Sequence, residues 1–198
     1  MDDTSQKIID AAMSLVRDKG YVATTTKEIA KVAGVNECTL FRKFTSKKDI
    51  VLQGVNQAQW RANITPEIFG EVTWDLRADL EMFMRTYMDR MTPDYVNLSI
   101  GLRAPQIYEE TASLIMKVPQ AFLESFTLYL KKMCEKGKIR QSNFDVDALA
   151  MSFFSSTFGY TFLKASFGDA LSDVDKDDFI KNNVDLFVSG LMGNDLMG

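Results

Sequence analysis

Six cations crowd one short stretch of this chain. Lys27, Lys31, Arg42, Lys43, Lys47 and Lys48 fall within residues 24–49, against only Glu28, Glu37 and Asp49. Positive charge gathered in this way serves a polyanion, whose condensed counterions are released as lysine and arginine replace them. Cys38 and Arg42 stand four residues apart, flanked by Thr39 and Phe41, so a helix through them turns small and basic groups to one side. Leu40 and Phe44, also four apart, lie on roughly the opposite side and can anchor that helix to a core. A short helix of this kind suits the major groove of DNA, where base edges and thymine methyls are read. Other chemistry is poorly supplied. The chain has no histidine and only two cysteines, Cys38 and Cys134, which removes mixed His–Cys zinc sites, four-thiolate sites and histidine-based catalytic triads. No phosphate-binding loop or GxGxxG occurs, so neither an enzyme nor a cofactor is expected.

The elements that must hold this helix are legible from their ends. Thr25 and Glu28 have capping-box spacing, and Ile29, Ala30, Val32 and Ala33 give the helix they open an apolar face. Gly34 falls where that helix must stop, in the left-handed conformation glycine takes at little cost. Val35 fills the turn, and Asn36 is a favoured N-cap for the second helix, Glu37 to Lys43. Ser46-Lys47-Lys48-Asp49 then opens a third helix, whose free N–H groups and positive dipole end form a phosphate site to which the two lysines add charge. This helix is expected to continue to about Trp60, linking the reading head to the rest of the chain.

The run T-T-x-x-I-A-x-x-A-G-V-x-x-x-x-L-F-x-x-F-x-S-K, preceded by Gly20-Tyr21, resembles the DNA-binding domain of TetR/AcrR-family transcriptional regulators over roughly residues 5–55. Carried over position by position, the resemblance implies DNA contacts at Lys27, Glu37, Cys38, Thr39, Phe41, Lys43 and Lys47. Arg42 joins them on geometry, because it faces away from Leu40. Two departures from the family pattern stand out. Phe41 occupies a place usual for tyrosine, so a phenol's hydrogen bond to phosphate is missing. Cys38 stands where a small residue is usual, and its thiol is either a plain small group or an oxidisable one.

Around this head the chain reads as all-α. A first helix spans about Ser5 to Lys19, capped by Thr4 or Ser5 and ended by Gly20. Pro66 and Gly70 mark a loop. Thr73 is then expected to cap a long amphipathic helix carrying Leu76, Leu80, Phe83, Met84, Tyr87 and Met91, which Pro93 stops. A short helix from Asp94 to Ala104 comes next, and then a longer one from Gln106, which Pro119 kinks or restarts and Gly137 closes. Asp145 caps a helix over 146–167 that is apolar on all sides and so should be buried on all sides. A last helix begins near Asp175, and residues after Gly193 read as a frayed tail. The expected organisation is a three-helix helix-turn-helix DNA-binding domain at 1–50 and a helical effector-binding and dimerisation domain at 51–198.

Charge divides along the same line. Residues 1–50 hold nine Lys/Arg against seven Asp/Glu, a net of +2, and the remainder holds fourteen against twenty, a net of −6. Asp2 and Asp3 oppose a signal peptide. The most apolar stretch, 148–163, is interrupted by Ser152, Ser155, Ser156 and Thr157, which argues against a membrane span. The chain is therefore placed in the cytoplasm.

The last two helices carry enough apolar surface for a homodimeric four-helix bundle, an arrangement the resemblance also implies, with Phe153, Phe162, Phe179, Ile180, Val184, Phe187, Val188 and Leu191 at the interface. Family members commonly hold a small effector in the C-terminal domain. Trp60, Phe83, Tyr87, Met88, Met116, Phe122, Phe126, Phe154 and Phe158 are the candidates to line an adaptable lipophilic pocket. A cationic ligand would want buried acids, for which Glu81, Glu109, Glu110 and Glu124 are available. The expected function is that of a transcriptional repressor on a near-palindromic duplex operator, released by a small lipophilic effector. An activator, an effector-independent DNA binder, or a small-molecule carrier with an idle motif are the alternatives.

Overall fold

The computed structural model describes residues 2–60, 72–139 and 145–192. Among these every regular element is helical, as the sequence leads one to expect. The α-helices are α1 (Asp3–Ala23), α2 (Thr26–Ala33), α3 (Glu37–Lys43), α4 (Lys47–Val55), α5 (Leu76–Arg90), α6 (Pro93–Gly101), α7 (Tyr108–Glu135), α8 (Val146–Phe167) and α9 (Lys176–Met192). The loop expected around Pro66 and Gly70 and the tail after Gly193 lie outside the described residues. The chain forms two compact units, one of Met1–Asn63 with Pro93–Met116, the other of Ile64–Thr92 with Lys117–Gly198. Helix α7 passes from the first to the second after Met116.

In the first unit, Asp2 rather than Thr4 or Ser5 caps α1, its Oδ1 accepting from the Ser5 N–H at 2.9 Å. A carboxylate is favoured there by the helix dipole as well as by the hydrogen bond. Gly20 breaks α1 at φ 82°, and a short helical tail carrying Tyr21 runs on to Ala23. The core gathers Ile8, Ile9, Ala12, Met13 and Val16 of α1 with Ile29 and Ala30 of α2, Leu40 and Phe44, and Ile50, Val51 and Val55 of α4. Leu98, Leu102 and Ile107 close it from α6 and the segment after it. Val32, expected on the apolar face of α2, is instead exposed. Helix α4 stops at Val55, short of Trp60, because Asn56 caps it and bonds its side chain back to the Leu52 carbonyl at 2.8 Å. A single 3₁₀ turn at Ala58–Trp60 comes after it. Pro93 does not merely stop α5 but starts α6, at the position where a missing N–H costs nothing. Gly101, the last residue of α6, sits so close to α1 that a Cβ there would lie 2.4 Å from the Val16 carbonyl oxygen.

In the second unit, α5 is capped by Asp75, not Thr73. The Thr73 hydroxyl and backbone N–H both donate to Asp79, each at 2.8 Å, and the Trp74 N–H donates to the same carboxylate at 2.9 Å. Asp79 is itself buried. These bonds hold Trp74 at φ 62°, a left-handed conformation unusual for a bulky residue. The Trp74 ring stacks on Tyr129, and the Lys136 ammonium lies 4.6 Å from its centre. Helix α7 continues through Pro119, and its C-terminus closes at Gly137, where the Lys138 N–H reaches back to the Met133 carbonyl at 3.0 Å. Asp145 caps α8 as expected. Buried Thr157 and Thr161 satisfy their hydroxyls on carbonyls one turn back, so α8 can bury them without an unpaired polar group. Along α5 and α9, the pairs Arg77–Asp185, Arg85–Asp177 and Asp89–Lys176 run in opposite chain directions and mark the two helices as antiparallel.

One expectation fails for α8. Met151, Leu163 and Phe167 are exposed, so within a single chain this helix is not buried on every side.

Candidate nucleic-acid interface

The local chemistry that builds the helix-turn-helix is the chemistry its sequence announces. The Thr25 hydroxyl accepts from the Glu28 N–H at 3.2 Å while the Glu28 carboxylate accepts from the Thr25 N–H at 3.1 Å. Gly34 takes φ 69° at the end of α2. The Asn36 side chain accepts from the Thr39 N–H at 2.7 Å, opening α3, and Ser46 does the same for the Asp49 N–H at 3.1 Å, opening α4. Leu40 and Phe44 are buried, which fixes the inward side of α3. Its seven residues span about 10 Å at 1.5 Å per residue, comparable with the width of a major groove.

On the outward side Cys38, Phe41 and Arg42 are exposed, with Phe41 at 52%. A half-exposed phenyl ring offers the groove an apolar contact of the kind thymine methyls accept. Among the described residues Lys27, Lys31 and Arg42 enter no ion pair. Thr39 is half-buried beside them.

The other candidate contacts are engaged within the chain. Glu37 accepts from the Thr26 hydroxyl at 2.9 Å, tying the first turn of α3 to the first turn of α2. The Lys43 ammonium pairs with Asp2 at 2.8 Å, and this partner, with the Ser5 N–H, holds the Asp2 carboxyl down at about 2. Lys47 turns inward altogether. Its ammonium donates to the carbonyls of Tyr21 at 2.8 Å and Thr24 at 2.6 Å and lies 4.1 Å from the centre of the Tyr21 ring. Burial, and then the charge of Lys19, lower its pKa. Lys48 pairs with Glu110 of α7. Spacing alone could not reveal these partners, which lie far off in sequence; the one signal was Gly20-Tyr21, which supplies the carbonyl and ring that Lys47 meets.

The nine residues expected to line an effector pocket divide between the two units. Trp60 and Met116 belong to the first unit and the other seven to the second. Phe83, Tyr87, Phe122, Phe126 and Phe154 are buried and packed on one another, with Phe83 and Phe126 centred 5.1 Å apart and Tyr87 and Phe122 5.5 Å apart. Met88 is buried as well, and Phe158 is half-buried against Phe154. Glu81, Glu109, Glu110 and Glu124 are none of them buried. A groove of about 400 Å³ does open in the second unit, between α8, the segment after it and the start of α9, but it is lined by Ser155, Gly159, Leu163, Leu171 and Val174, among others, and by none of those nine residues.

The residues expected at a dimer interface divide in two. Phe153, Ile180, Val184 and Leu191 are fully or almost fully buried inside the single chain, so they cannot face a second copy. The correction has a simple cause: an apolar stripe records that a face is covered, not what covers it. Phe162, Phe179, Phe187 and Val188 are half-buried.

A two-helix reading motif with a buried anchor and an outward basic, apolar-tipped face, in a chain whose described elements are all helices, defines a helix-turn-helix DNA-binding protein. Residues 8–53 match the model of the tetR family of bacterial regulatory proteins. The HTH-type transcriptional regulator YvkB of Bacillus subtilis strain 168 is 31% identical over 191 residues, covering 96% of this chain and 98% of that protein. The Staphylococcus aureus (strain Newman) biofilm operon regulator IcaR, an HTH-type negative transcriptional regulator, is 28% identical over 171 residues, covering 86% of this chain and 88% of its own. The structure of the transcriptional regulator FadR from Bacillus subtilis in complex with stearoyl-CoA superposes with a TM-score of 0.63 at 22% identity, over 94% of this chain and 98% of that one. The chain belongs to the TetR family. It is a DNA-binding transcriptional regulator. No helix among the described residues is long and apolar enough to cross a membrane.

Proposed function

We propose that this regulator is a homodimeric repressor in the cytoplasm, that it reads a near-palindromic operator, and that a small lipophilic effector releases it. The observation that carries the DNA reading is the outward face of α3, where Cys38, Phe41 and the unpaired Arg42 stand on a helix pinned from behind by Leu40 and Phe44. Arg42 would reach guanine or phosphate, Phe41 and the methyl of Thr39 would meet thymine, and Lys27 would take phosphate from α2. Glu37, Lys43 and Lys47 would act at the same interface more by placing α3 and α4 than by touching bases. In functional terms residues 1–50 are the reading domain and 51–198 the effector and dimerisation domain.

Repression is supported by the name of IcaR, a negative regulator, and a lipophilic effector by the stearoyl-CoA bound to FadR. A dimer is supported by the apolar surface α8 and α9 leave uncovered, including Leu163, Phe167 and Leu186, alongside half-buried Phe162, Phe179, Phe187 and Val188. Two copies joined there would hold two α3 helices for half-sites about one DNA turn apart or a related distance. Effector binding would favour a conformer whose reading heads miss that spacing, and DNA would weaken effector binding by the same factor.

One observation favours a second reading, an effector-independent DNA binder: the aromatic residues of the second unit fill each other's space. Selection from a random duplex pool, followed by affinity across a salt series and a screen of acyl and aromatic ligands, tests both. A near-palindrome released by one ligand class supports the first reading. A near-palindrome that no ligand releases supports the second, and no enrichment at all would sink the operator.

A further inference from the structure

Three elements of the first unit converge on Tyr21. The α1 tail brings the ring itself, which is buried. The start of α4 lays the Lys47 ammonium over the ring at 4.1 Å. The next residue, Lys48, pairs its Nζ with Oε1 of Glu110, in the first turn of α7. Burial raises the pKa of the Tyr21 phenol, and Lys48 and Glu110 act on it in opposite senses, the cation lowering and the carboxylate raising it. The hydrogen bond between them raises Lys48 above and lowers Glu110 below their ordinary values.

Lys48 occupies the second position of α4, where the capped helix start presents free N–H groups and its positive dipole end. A lysine here would ordinarily count as one more phosphate contact. Glu110, however, is carried on a different helix, and its carboxylate stays in place if the Lys48 side chain swings away. A Lys48 side chain turned toward a phosphate would leave that carboxylate without its partner. Beyond about 10 Å at 0.1 M salt the two charges present no net charge to a polyanion.

We infer that Glu110 is a positioning residue for DNA binding, which withholds Lys48 from the phosphate backbone and so subtracts one cation per protomer from the DNA footprint. The inference rests on the reading of residues 24–49 as the DNA interface. Its consequence is selectivity. Phosphate contacts supply nearly all of non-specific affinity, so a reading head with one cation neutralised sticks less to random DNA while the base-reading face of α3 is untouched.

The test is the slope of log affinity against log salt for the full-length protein on its selected operator and on random duplex. Glu110→Gln is expected to steepen that slope by about 0.9 per protomer, close to 1.8 for a dimer on two half-sites. Per protomer this is an additional loss of about 3.5-fold between 50 and 200 mM salt. Glu109→Gln removes the same formal charge one residue away without breaking the ion pair, and is expected to move the slope by less than half as much. Lys48→Met should flatten the slope by less than half of what Arg42→Met does, since among the described residues no carboxylate pairs with Arg42. A Glu110→Gln slope equal to wild type, equal steepening by Glu109→Gln, or equal flattening by Lys48→Met and Arg42→Met would each overturn the inference. A wild-type protein with no salt-dependent DNA affinity would overturn the interface reading along with it, and is told apart from failure of the pair alone by the wild-type slope.

Discussion

A lysine at the first position of a helix is long enough to point outward or fold back, and Lys47 folds back. Its ammonium donates to the Thr24 carbonyl and to the Tyr21 carbonyl, which also accepts from the Thr24 N–H, and the Tyr21 ring gives it a face to rest on. Glu28 shows the same economy at the start of α2, where one carboxylate serves the Thr25 N–H, the Thr25 hydroxyl and the Lys19 ammonium. These bonds, Lys19 first, hold its pKa down at about 2 against the usual 4.5. The folded state therefore favours the ionised form, so this stabilisation is fully present above about pH 4.5 and is lost as pH falls toward 2. Thermal melts of wild type and Glu28→Gln should differ most near neutral pH and converge as the acid limit is reached; a constant gap would contradict the assignment. Asp79 is the buried counterpart, with three donors from Thr73 and Trp74 on one carboxylate. Asp79→Ala strands those donors and frees a left-handed tryptophan, and should cost about 2–4 kcal/mol in denaturant unfolding.

At the level of elements, the glycines of α4 and α6 make a useful contrast. A Cβ at Gly54 would press on the Met13 side chain at 2.6 Å, and methionine can move. A Cβ at Gly101 would meet the Val16 carbonyl oxygen at 2.4 Å, and a helix backbone cannot. Gly101→Ala should therefore destabilise by about 1–3 kcal/mol through separation of α1 from α6, with Gly54→Ala costing less. Chemical-denaturation midpoints at unchanged m-value measure both. Helix ends were the part of this fold most open to reading from sequence, because Thr25, Asn36, Ser46 and Asp145 bond to amides only two or three residues away. Thr73 misled for the same reason in reverse: its hydroxyl donates forward to Asp79 six residues on, leaving Asp75 to cap. The anchors Leu40 and Phe44 were legible from their spacing, but the partners of Lys43 and Lys48 were not. Asp2 lies 41 residues from Lys43, and no periodicity reports a contact of that range.

For the whole molecule the open question in the sequence was what covers α8 and α9. Helical period picks out an apolar stripe equally well whether the cover is the same chain, as for Phe153 and Ile180, or another copy. Leu186 is 70% exposed on α9 and belongs to the uncovered apolar surface on which the proposed dimer rests. Leu186→Asp should leave the monomer's melting temperature nearly unchanged yet convert the protein to monomer in sedimentation, with operator affinity falling at least tenfold as the second half-site is lost. A variant that stays dimeric would place the interface elsewhere. The distribution of the two tryptophans across the molecule has an optical consequence. Trp60 is packed against the core of the first unit and Trp74 lies between Tyr129 and Lys136 in the second. Each unit thus carries its own intrinsic fluorophore, and Trp60→Phe and Trp74→Phe variants would let events in the first unit and in the second be timed separately, without any attached dye.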